Sequence, residues 1–404
     1  MVAPLLEKPA LFFPFDTMKN AKFLLLLIGL IGFSAISHFF LKDNFHSKVR
    51  FFNDYWDRSA YFDRGQWYTL KKIPYLDIFS EYPQIATYFF ALPHVLLSAF
   101  CGSNYGRDPY YFIFSTFMMI FLWASILLLH HLRTRHKHFA FLMLLPASVY
   151  FSYNRYDIIP AFLSILSIKL LSKQRYNLSI IILALGVMTK WYLILILPIF
   201  LNFYYSRHKK INWKMIIVFC VTIILCVLPT LLTAGVEAFL SPYKMHIERE
   251  FNADSTFYLV KTFFQNRWQI NIAAPVGYFI FFALQFSVIP LIFIKKINTL
   301  PKVVNWSALV LLVFLLFAKF YSPQWILWVL PFLILRIQKV KDIFWVVIFD
   351  LVTYAYFPII FDSCKSLLST MIIIKTAVLA CLVVLLFKNL VIKAKHWKKA
   401  KEIL

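Results

Sequence analysis

Negative charge and glycine are both scarce in this sequence. Only 18 of its 404 residues are Asp or Glu, and charged residues of either sign make up 15% of the chain. Soluble domains contain about 25% charged residues, so this balance excludes a soluble globular enzyme, a disordered chain and a coiled coil. The eight glycines form neither GxGxxG nor GxxxxGK followed by Ser or Thr, which argues against a dinucleotide or ATP site. The five cysteines form no CxxC pair and are too few for a disulfide scaffold.

Apolar residues dominate the composition instead. The sequence is 61% hydrophobic and 19% aromatic, and its mean hydropathy is +0.72. No polar stretch is long enough to form a soluble core, so we expect one all-α, polytopic integral membrane domain over residues 1–404. A net charge of +24 raises nucleic acid as a partner, and the position of that charge decides the question.

Short basic clusters alternate with neutral or acidic segments along the chain. If these clusters are all cytoplasmic, as the positive-inside rule predicts, the chain crosses the membrane about twelve times and both termini are inside. The predicted spans are 21–41, 110–129, 139–153, 157–172, 177–190, 191–205, 214–234, 271–294, 304–319, 323–337, 343–360 and 367–388. The basic cytoplasmic tail 389–404 then meets anionic lipid, and the charge requires no nucleic acid.

Two long loops are expected on the outer side. Residues 83–102 are apolar enough to cross, but a crossing there would move the basic cluster at 133–137 to the outside. We therefore expect this segment to lie in the membrane interface, which makes 42–109 one long first outer loop with interfacial helices. The second large outer loop is 235–270.

The first loop combines carboxylates with many aromatic side chains. Asp54, Asp57, Asp77 and Glu81 lie in a stretch that is also rich in Phe, Tyr and Trp. A loop that folds onto the membrane domain can partly bury such carboxylates, which raises their pKa and suits them to act as general bases. Aromatic rings beside carboxylates also suit sugar rings. An ordinary charged loop is the alternative interpretation.

Three cations stand at the ends of predicted spans. They are Arg155, Lys190 and Lys319. A charge at the bilayer centre costs about 2.5–3.5 kcal/mol on insertion scales, so charges within or capping spans are candidates for function. If the three converge on one outer pocket, they suit an anionic group such as a phosphate. Snorkelling of the two lysines to the interface is the alternative.

The positions of these residues resemble the motifs of a known family. The pattern D-x3-Y, then G-x-x-P-Y-x-D-x3-E-Y-P-P, is matched in the first loop by Asp57, Tyr61, Pro74, Tyr75, Asp77, Glu81, Tyr82 and Pro83. The later motifs, in order, are matched by Arg155-Tyr156-Asp157 with Pro160, by Lys190 with Pro198, by Arg249 with Asp254-Ser255, and by Lys319 with Ser322-Pro323-Gln324-Trp325, Trp328 and Pro331. The chain therefore resembles bacterial glycosyltransferases of the GT-C superfamily, in particular the polyprenyl-phosphate-mannose-dependent enzymes of family 87. Lys71, Gln84 and Asp254 depart from the pattern and leave the sugar open.

The resemblance implies that a hexose is transferred from a polyprenyl-phosphate donor with inversion at the sugar. By position, Asp57 is the base that takes the acceptor proton, and Asp54 is the second candidate. The residues implied for the donor phosphate or sugar are Arg155, Asp157, Lys190, Arg249, Ser255, Lys319 and Gln324. Loop or site support is implied for Tyr61, Asp77, Glu81 and Tyr82.

The resemblance also implies the partners and the location. The expected partners are a polyprenyl-phosphate sugar, with mannose favoured, a glycan or glycolipid acceptor, and the lipid bilayer. The sequence contains no clear metal-ligand set, so no metal is assigned, and a divalent cation held by carboxylates stays open. The expected location is a bacterial inner membrane with the site facing the periplasm or exterior, although an endoplasmic-reticulum enzyme would show the same charge asymmetry.

Two other functions compete with the enzyme. A transporter or flippase of lipid-linked saccharides also fits twelve spans, but it should show two similar halves and ionisable residues near span midpoints. Here those residues gather at the predicted outer ends and in the first loop, which favours the enzyme. A scaffold subunit without catalysis is the third hypothesis, and it predicts no effect of Asp57 on activity.

Overall fold

The described part of the chain is built from helices. The computed structural model describes residues 41–392 apart from 103, 134 and 272, together with positions 29, 32 and 36. The α-helices of these residues are α1 (Tyr55–Gly65), α2 (Gln84–Cys101), α3 (Arg107–Leu132), α4 (Pro146–Asn154), α5 (Ile158–Ser172), α6 (Tyr176–Thr189), α7 (Leu197–His208), α8 (Trp213–Glu248), α9 (Thr256–Trp268), α10 (Ala274–Phe286), α11 (Ile289–Ile294), α12 (Leu300–Leu316), α13 (Ile326–Arg336), α14 (Val340–Tyr354) and α15 (Lys365–Phe387). Short helical turns occupy Asn44–His46, Lys137–Leu144, Trp191–Ile196, Pro323–Trp325, Ala355–Ile360, Phe361–Ser363 and Lys388–Ile392.

Six helices in the described ranges are long and apolar enough to cross a membrane. They are Gln84–Cys101, Arg107–Leu132, Trp213–Glu248, Pro275–Ile294, Val340–Ser363 and Lys365–Leu390. Among the described residues the only pairing of extended backbone is an isolated bridge between Pro74 and Ile78. The prediction of an all-α membrane protein is therefore confirmed. Most of the predicted first span, 21–41, and the tail beyond 392 lie outside the described residues.

The remaining predicted spans are also helical, although their helices are shorter. Every predicted span from 110–129 onward coincides with one helix or with two consecutive helical segments. The most buried of these is α13, whose residues Ile326 to Leu335 are all buried. A helix that is apolar all round belongs inside a bundle, and α13 packs against α3, α4, α5, α12 and α14. The core therefore surrounds α13, and the number of membrane crossings stays a prediction.

Two segments that are predicted to lie outside the membrane-spanning helices are themselves helical. The segment 83–102, expected in the membrane interface, forms α2, which is one of the six helices that could cross. The predicted second loop, 235–270, is mainly helical because α8 runs on to Glu248 and α9 follows. Gly235 has φ +81°, a conformation that glycine adopts without steric cost, and α8 consists of two helical stretches joined at a kink there.

Two buried charges complete helix ends near the core. The carboxylate of Asp350, on α14, accepts hydrogen bonds from the amides of Ala147 and Ser148 at 2.8 and 3.0 Å and so caps the start of α4. The guanidinium of Arg133 donates to the carbonyls of Ile334 and Ile337 at the end of α13. Helix ends leave unpaired amides and carbonyls that must be satisfied when they are buried. The cap at Asp350 fixes α4, the helix that leads directly into Arg155.

The first-loop helix α1 lies very close to α2. A Cβ atom at Gly65 would lie only 2.2 Å from the carbonyl oxygen of Phe90, so glycine is required for this approach. The ring of Tyr61 stacks on Phe90 with 4.5 Å between centroids, and His94 contacts the Phe62 carbonyl through Nε2 at 2.9 Å. These contacts hold the second half of α1 against α2.

Candidate active site

Asp54 is the N-cap of α1 and is fully buried. Its side chain accepts a hydrogen bond from the Trp56 amide at 3.1 Å, which satisfies one of the free amides of the first turn. Its own amide donates to the side-chain oxygen of Asn154 at 2.8 Å, so the start of α1 is joined to the end of α4. This junction brings the first loop and the turn after α4 together.

Arg155 lies between the two first-loop carboxylates. Its Nη2 atom contacts Asp54, and its Nε atom contacts Asp57. Oδ1 of Asp54 also lies 3.1 Å from Nη1 of Arg50, so each of the two Asp54 oxygens contacts an arginine. Asp57 and Arg155 are thus in contact, and Asp54 contacts the same arginine.

The two carboxylates differ in exposure and in acidity. Burial alone would raise the pKa of Asp54, but the positive charges of Arg155 and Arg50 outweigh it and lower that pKa to about 2. At Asp57 burial prevails over Arg155, so the pKa of Asp57 is raised above its ordinary value of 3.8. The side chain of Asp57 remains 25% exposed, whereas that of Asp54 is 0% exposed. Asp57 is therefore the carboxylate that a substrate can reach.

A second ion pair lies beside this one. Lys190 Nζ is 2.9 Å from Oδ1 of Asp157, and the Trp328 indole donates to the same oxygen at 2.7 Å. The other oxygen of Asp157 and the hydroxyls of Tyr156 and Tyr192 are buried without a hydrogen-bond partner among the described residues. Unpaired buried polar atoms are costly, and they gather where a ligand or water completes them.

Aromatic rings surround the two ion pairs. Tyr156 meets the rings of Tyr61, Tyr82 and Phe90 edge to face, at 5.5, 5.2 and 5.1 Å between centroids. Lys190 Nζ lies 4.4 Å from the centroid of the Tyr156 ring. The sequence predicted aromatic residues beside carboxylates. The structure places Tyr61 and Tyr82 against Tyr156 of the turn Arg155-Tyr156-Asp157, the RYD turn.

Two further predicted cations lie against aromatic rings, Arg249 over Phe320 and Lys319 over Tyr278. The guanidinium of Arg249 is 4.1 Å from the Phe320 ring centroid, and Lys319 Nζ donates to the Ile247 carbonyl at 2.7 Å. In the described part of the chain neither cation has a carboxylate within ion-pair distance. The ring of His246 lies 6.1 Å from Phe320 and 5.1 Å from Trp191, the neighbour of Lys190. The ring of His246 thus links Phe320, which Arg249 contacts, to Trp191, the residue after Lys190.

The other predicted residues have structural contacts of their own. Glu81 pairs with Arg64, and its carbonyl contacts His246 Nε2 at 3.1 Å. Asp77 accepts from the Ile73 amide at 2.8 Å and closes a turn of the first loop. Ser255 is buried and caps α9 by accepting from the Tyr258 amide at 3.2 Å. Gln324 is half-buried in the turn before α13.

Sequence reasoning missed several residues that the structure adds to this region. They are Arg50, Asn154, His246 and Asp362. Asn154 directly precedes the RYD turn, and its position there was a usable signal. His246 and Asp362 carry no local pattern, because their neighbours in space come from distant parts of the chain.

The carboxylates of the site are paired with cations. Among the residues that the structure describes, no three His, Cys, Asp or Glu side chains lie close enough together to hold a metal ion. Asp54, Asp57 and Asp157 each face an arginine or a lysine, so their oxygens already have positive partners. The divalent cation considered from the sequence stays an open prediction.

The site thus combines a reachable carboxylate, paired cations, two cations without carboxylate partners and a wall of aromatic rings. Such a set can remove a proton at one point and stabilise negative charge at another.

Searches with protein-family models and among curated proteins return no match to this chain.

Proposed function

We propose that the protein is a membrane glycosyltransferase of the GT-C type that transfers a hexose from a polyprenyl-phosphate donor to a glycan or glycolipid acceptor. The observation that carries the proposal is Asp57. It is a partly exposed carboxylate with a raised pKa, in contact with Arg155 and surrounded by aromatic rings. A base that acts near neutral pH needs such a setting, and aromatic rings suit the apolar faces of sugars.

The base is Asp57 rather than Asp54. Both oxygens of Asp54 are held by arginines, and its low pKa makes it a weak proton acceptor. Asp57 forms an ion pair with Arg155 and keeps part of its surface open. In the proposed reaction its carboxylate takes the acceptor hydroxyl proton as that oxygen attacks the anomeric carbon, and the donor phosphate leaves.

In the proposed reaction the donor phosphate is bound by Arg249, Lys319 and Lys190. Arg249 and Lys319 have no carboxylate partner among the described residues, so their charge is available to an anion. Lys190 pairs with Asp157 and directly precedes Trp191, whose ring lies 5.1 Å from that of His246. Charge that develops on the leaving phosphate is stabilised by such preplaced cations.

The proposed location follows from the charge asymmetry. The chain crosses the membrane about twelve times with both termini in the cytoplasm, and the site faces the periplasm or exterior of a bacterial inner membrane. The apolar helices support a membrane position, and the basic clusters between predicted spans support this orientation. A polyprenyl donor also requires a site at the membrane surface, because its tail stays in lipid while its phosphate meets water.

The test is sugar transfer by the purified protein in lipid, with polyprenyl-phosphate mannose as donor. Asp57→Asn should reduce transfer by at least about 100-fold, the lower range for a general base. Asp63→Asn is the matched control, since Asp63 lies on the same helix and forms an exposed pair with Arg107. Transfer that survives Asp57→Asn would exclude Asp57 as the base. If donors with mannose, glucose and a pentose all fail, the flippase hypothesis takes precedence.

A further inference from the structure

The contacts of Asp54 extend the site to two further charged residues, Arg50 and Asp362. Arg50 bridges Asp54 and Asp362. Its Nε and its backbone amide each donate to one Asp362 oxygen at 2.9 Å, and Nη2 donates to the other at 2.5 Å. Its guanidinium also lies 5.0 Å from the ring centroid of Phe357. Arg50 is therefore fixed from several sides, and the first loop is tied to the segment between α14 and α15.

Together these contacts form a line of alternating charge. We name the residues Asp362, Arg50, Asp54, Arg155 and Asp57 the ion-pair chain. Each inner member touches one opposite charge on either side. Arg155 is shared by Asp54 and Asp57. A change in the electrostatic interaction between Asp54 and Arg155 therefore also changes the interaction between Arg155 and Asp57.

We propose that Arg50 and Asp362 are positioning residues that tune the proton affinity of Asp57 through Asp54 and Arg155. The inference rests on the proposed function, in which Asp57 is the base. Neither residue contacts Asp57 directly. The titratable and charged groups that act on Asp57 are Asp54, Arg155, Asp157 and Lys190, with the phenols of Tyr61 and Tyr82 beside it.

The line of alternating charge predicts opposite effects from its two distal members. Arg50→Gln removes a positive charge from Asp54, so Asp54 draws more strongly on Arg155 and Asp57 binds its proton more tightly. Asp362→Asn removes the negative charge that compensates Arg50, so Arg50 acts more strongly on Asp54 and Asp57 binds its proton less tightly. A purely structural role would not give opposite signs.

The experiment measures the protonation of Asp57 without depending on activity. A hydrophobic carbodiimide reacts with protonated carboxylic acids, and mass spectrometry of the Asp57 peptide, in lipid over a pH series, gives the midpoint at which labelling falls. We expect Arg50→Gln to raise that midpoint by about one pH unit, the size expected for a unit charge over roughly 10 Å at an effective dielectric constant of about 20. Asp362→Asn should lower it by less, and the double variant should lie near wild type.

Two controls separate charge from folding. Arg50→Lys keeps the charge with fewer hydrogen bonds, so its midpoint should stay near that of wild type even if the protein is less stable. Arg107→Gln removes an arginine from an exposed pair and should shift nothing. If Arg50→Gln does not elute as wild type on size exclusion, Asp362→Asn is compared with Arg50→Lys and should have the lower midpoint.

The outcomes distinguish this inference from the proposed function. Midpoints that stay unchanged, or that shift in one direction for both distal variants, overturn the inference even if sugar is transferred. Asp57 that is not labelled at any pH would contradict its open position and overturn the inference as well. The expected order of midpoints without transfer from any donor would support the tuning of Asp57 and reject the glycosyltransferase.

Discussion

Lys190 and Asp157 form an almost buried ion pair in which Nζ lies 2.9 Å from Oδ1. The side chain of Lys190 is 16% exposed and that of Asp157 is 0% exposed. The indole of Trp328 donates to the same Asp157 oxygen, so Oδ1 has two donors while Oδ2 has none among the described residues. The Lys190 ammonium and the Trp328 indole therefore fix the Asp157 carboxylate inside the protein.

Loss of either partner of this pair should destabilise the protein. Lys190→Met leaves the Asp157 carboxylate buried without its cation, and breaking a buried pair costs about 3–5 kcal/mol. We expect a lower thermal transition in detergent, measured by intrinsic fluorescence. Lys190→Met combined with Asp157→Asn should recover most of the stability but not sugar transfer. A double variant no more stable than Lys190→Met would contradict the pairing. The control is Lys244→Met, in an exposed pair, which should change the free energy of unfolding by less than about 1 kcal/mol.

The pH dependence of transfer should identify the base. A base acts only when it is deprotonated, so the rate falls as the pH drops through the pKa of the folded protein. That pKa lies above 3.8 for Asp57 and at about 2 for Asp54. We expect the acid limb of kcat/KM to have its midpoint above 3.8. A midpoint close to 2 would assign the proton transfer to Asp54 instead.

Asp350 should stabilise the protein by capping α4. Asp350→Ala removes the acceptor of the Ala147 and Ser148 amides and of the Ser148 hydroxyl, which leaves buried donors without partners. Loss of a cap typically costs about 0.5–2 kcal/mol, and burial places this one at the upper end. Thermal unfolding in detergent should show a clear decrease, with a smaller one for Ser148→Ala. Equal effects of the two substitutions would mean that the cap contributes little.

Labelling of a cysteine at position 104 should decide how α2 lies. In a background without the native cysteines, Asn104→Cys should react with an impermeant thiol reagent from outside the cell, because 83–102 is predicted not to cross. If only inside-out vesicles are labelled, α2 crosses and every later loop is inverted. Lys209→Cys, in a predicted cytoplasmic cluster, is the reciprocal site: it should label from the inside if position 104 labels from outside, and from outside if the later loops are inverted.

The sequence by itself determined the class and the positions of the helices. Continuous apolar runs can satisfy their backbone in a membrane only as helices, so each run predicts a helix within a few residues. The predicted span 157–172 and α5 (Ile158–Ser172) show how closely the two agree. The motif around Arg155 and the cation at Lys190 were also visible, because a charge at the end of an apolar run stands out in the sequence.

Only the tertiary structure decided which charges meet. Asp54 and Arg155, or Arg50 and Asp362, come from segments far apart in the chain, and a polar residue in a loop carries no sign of its partner. The same limit applies to Ser255: its role at the donor stays a prediction, and only the structure shows that its side chain caps α9. Helix packing also decided that Asp57 is reachable while Asp54 is buried, although both belong to one short stretch of sequence. Local composition determines whether a segment is apolar and helical, whereas ion pairing and exposure depend on which helices lie side by side.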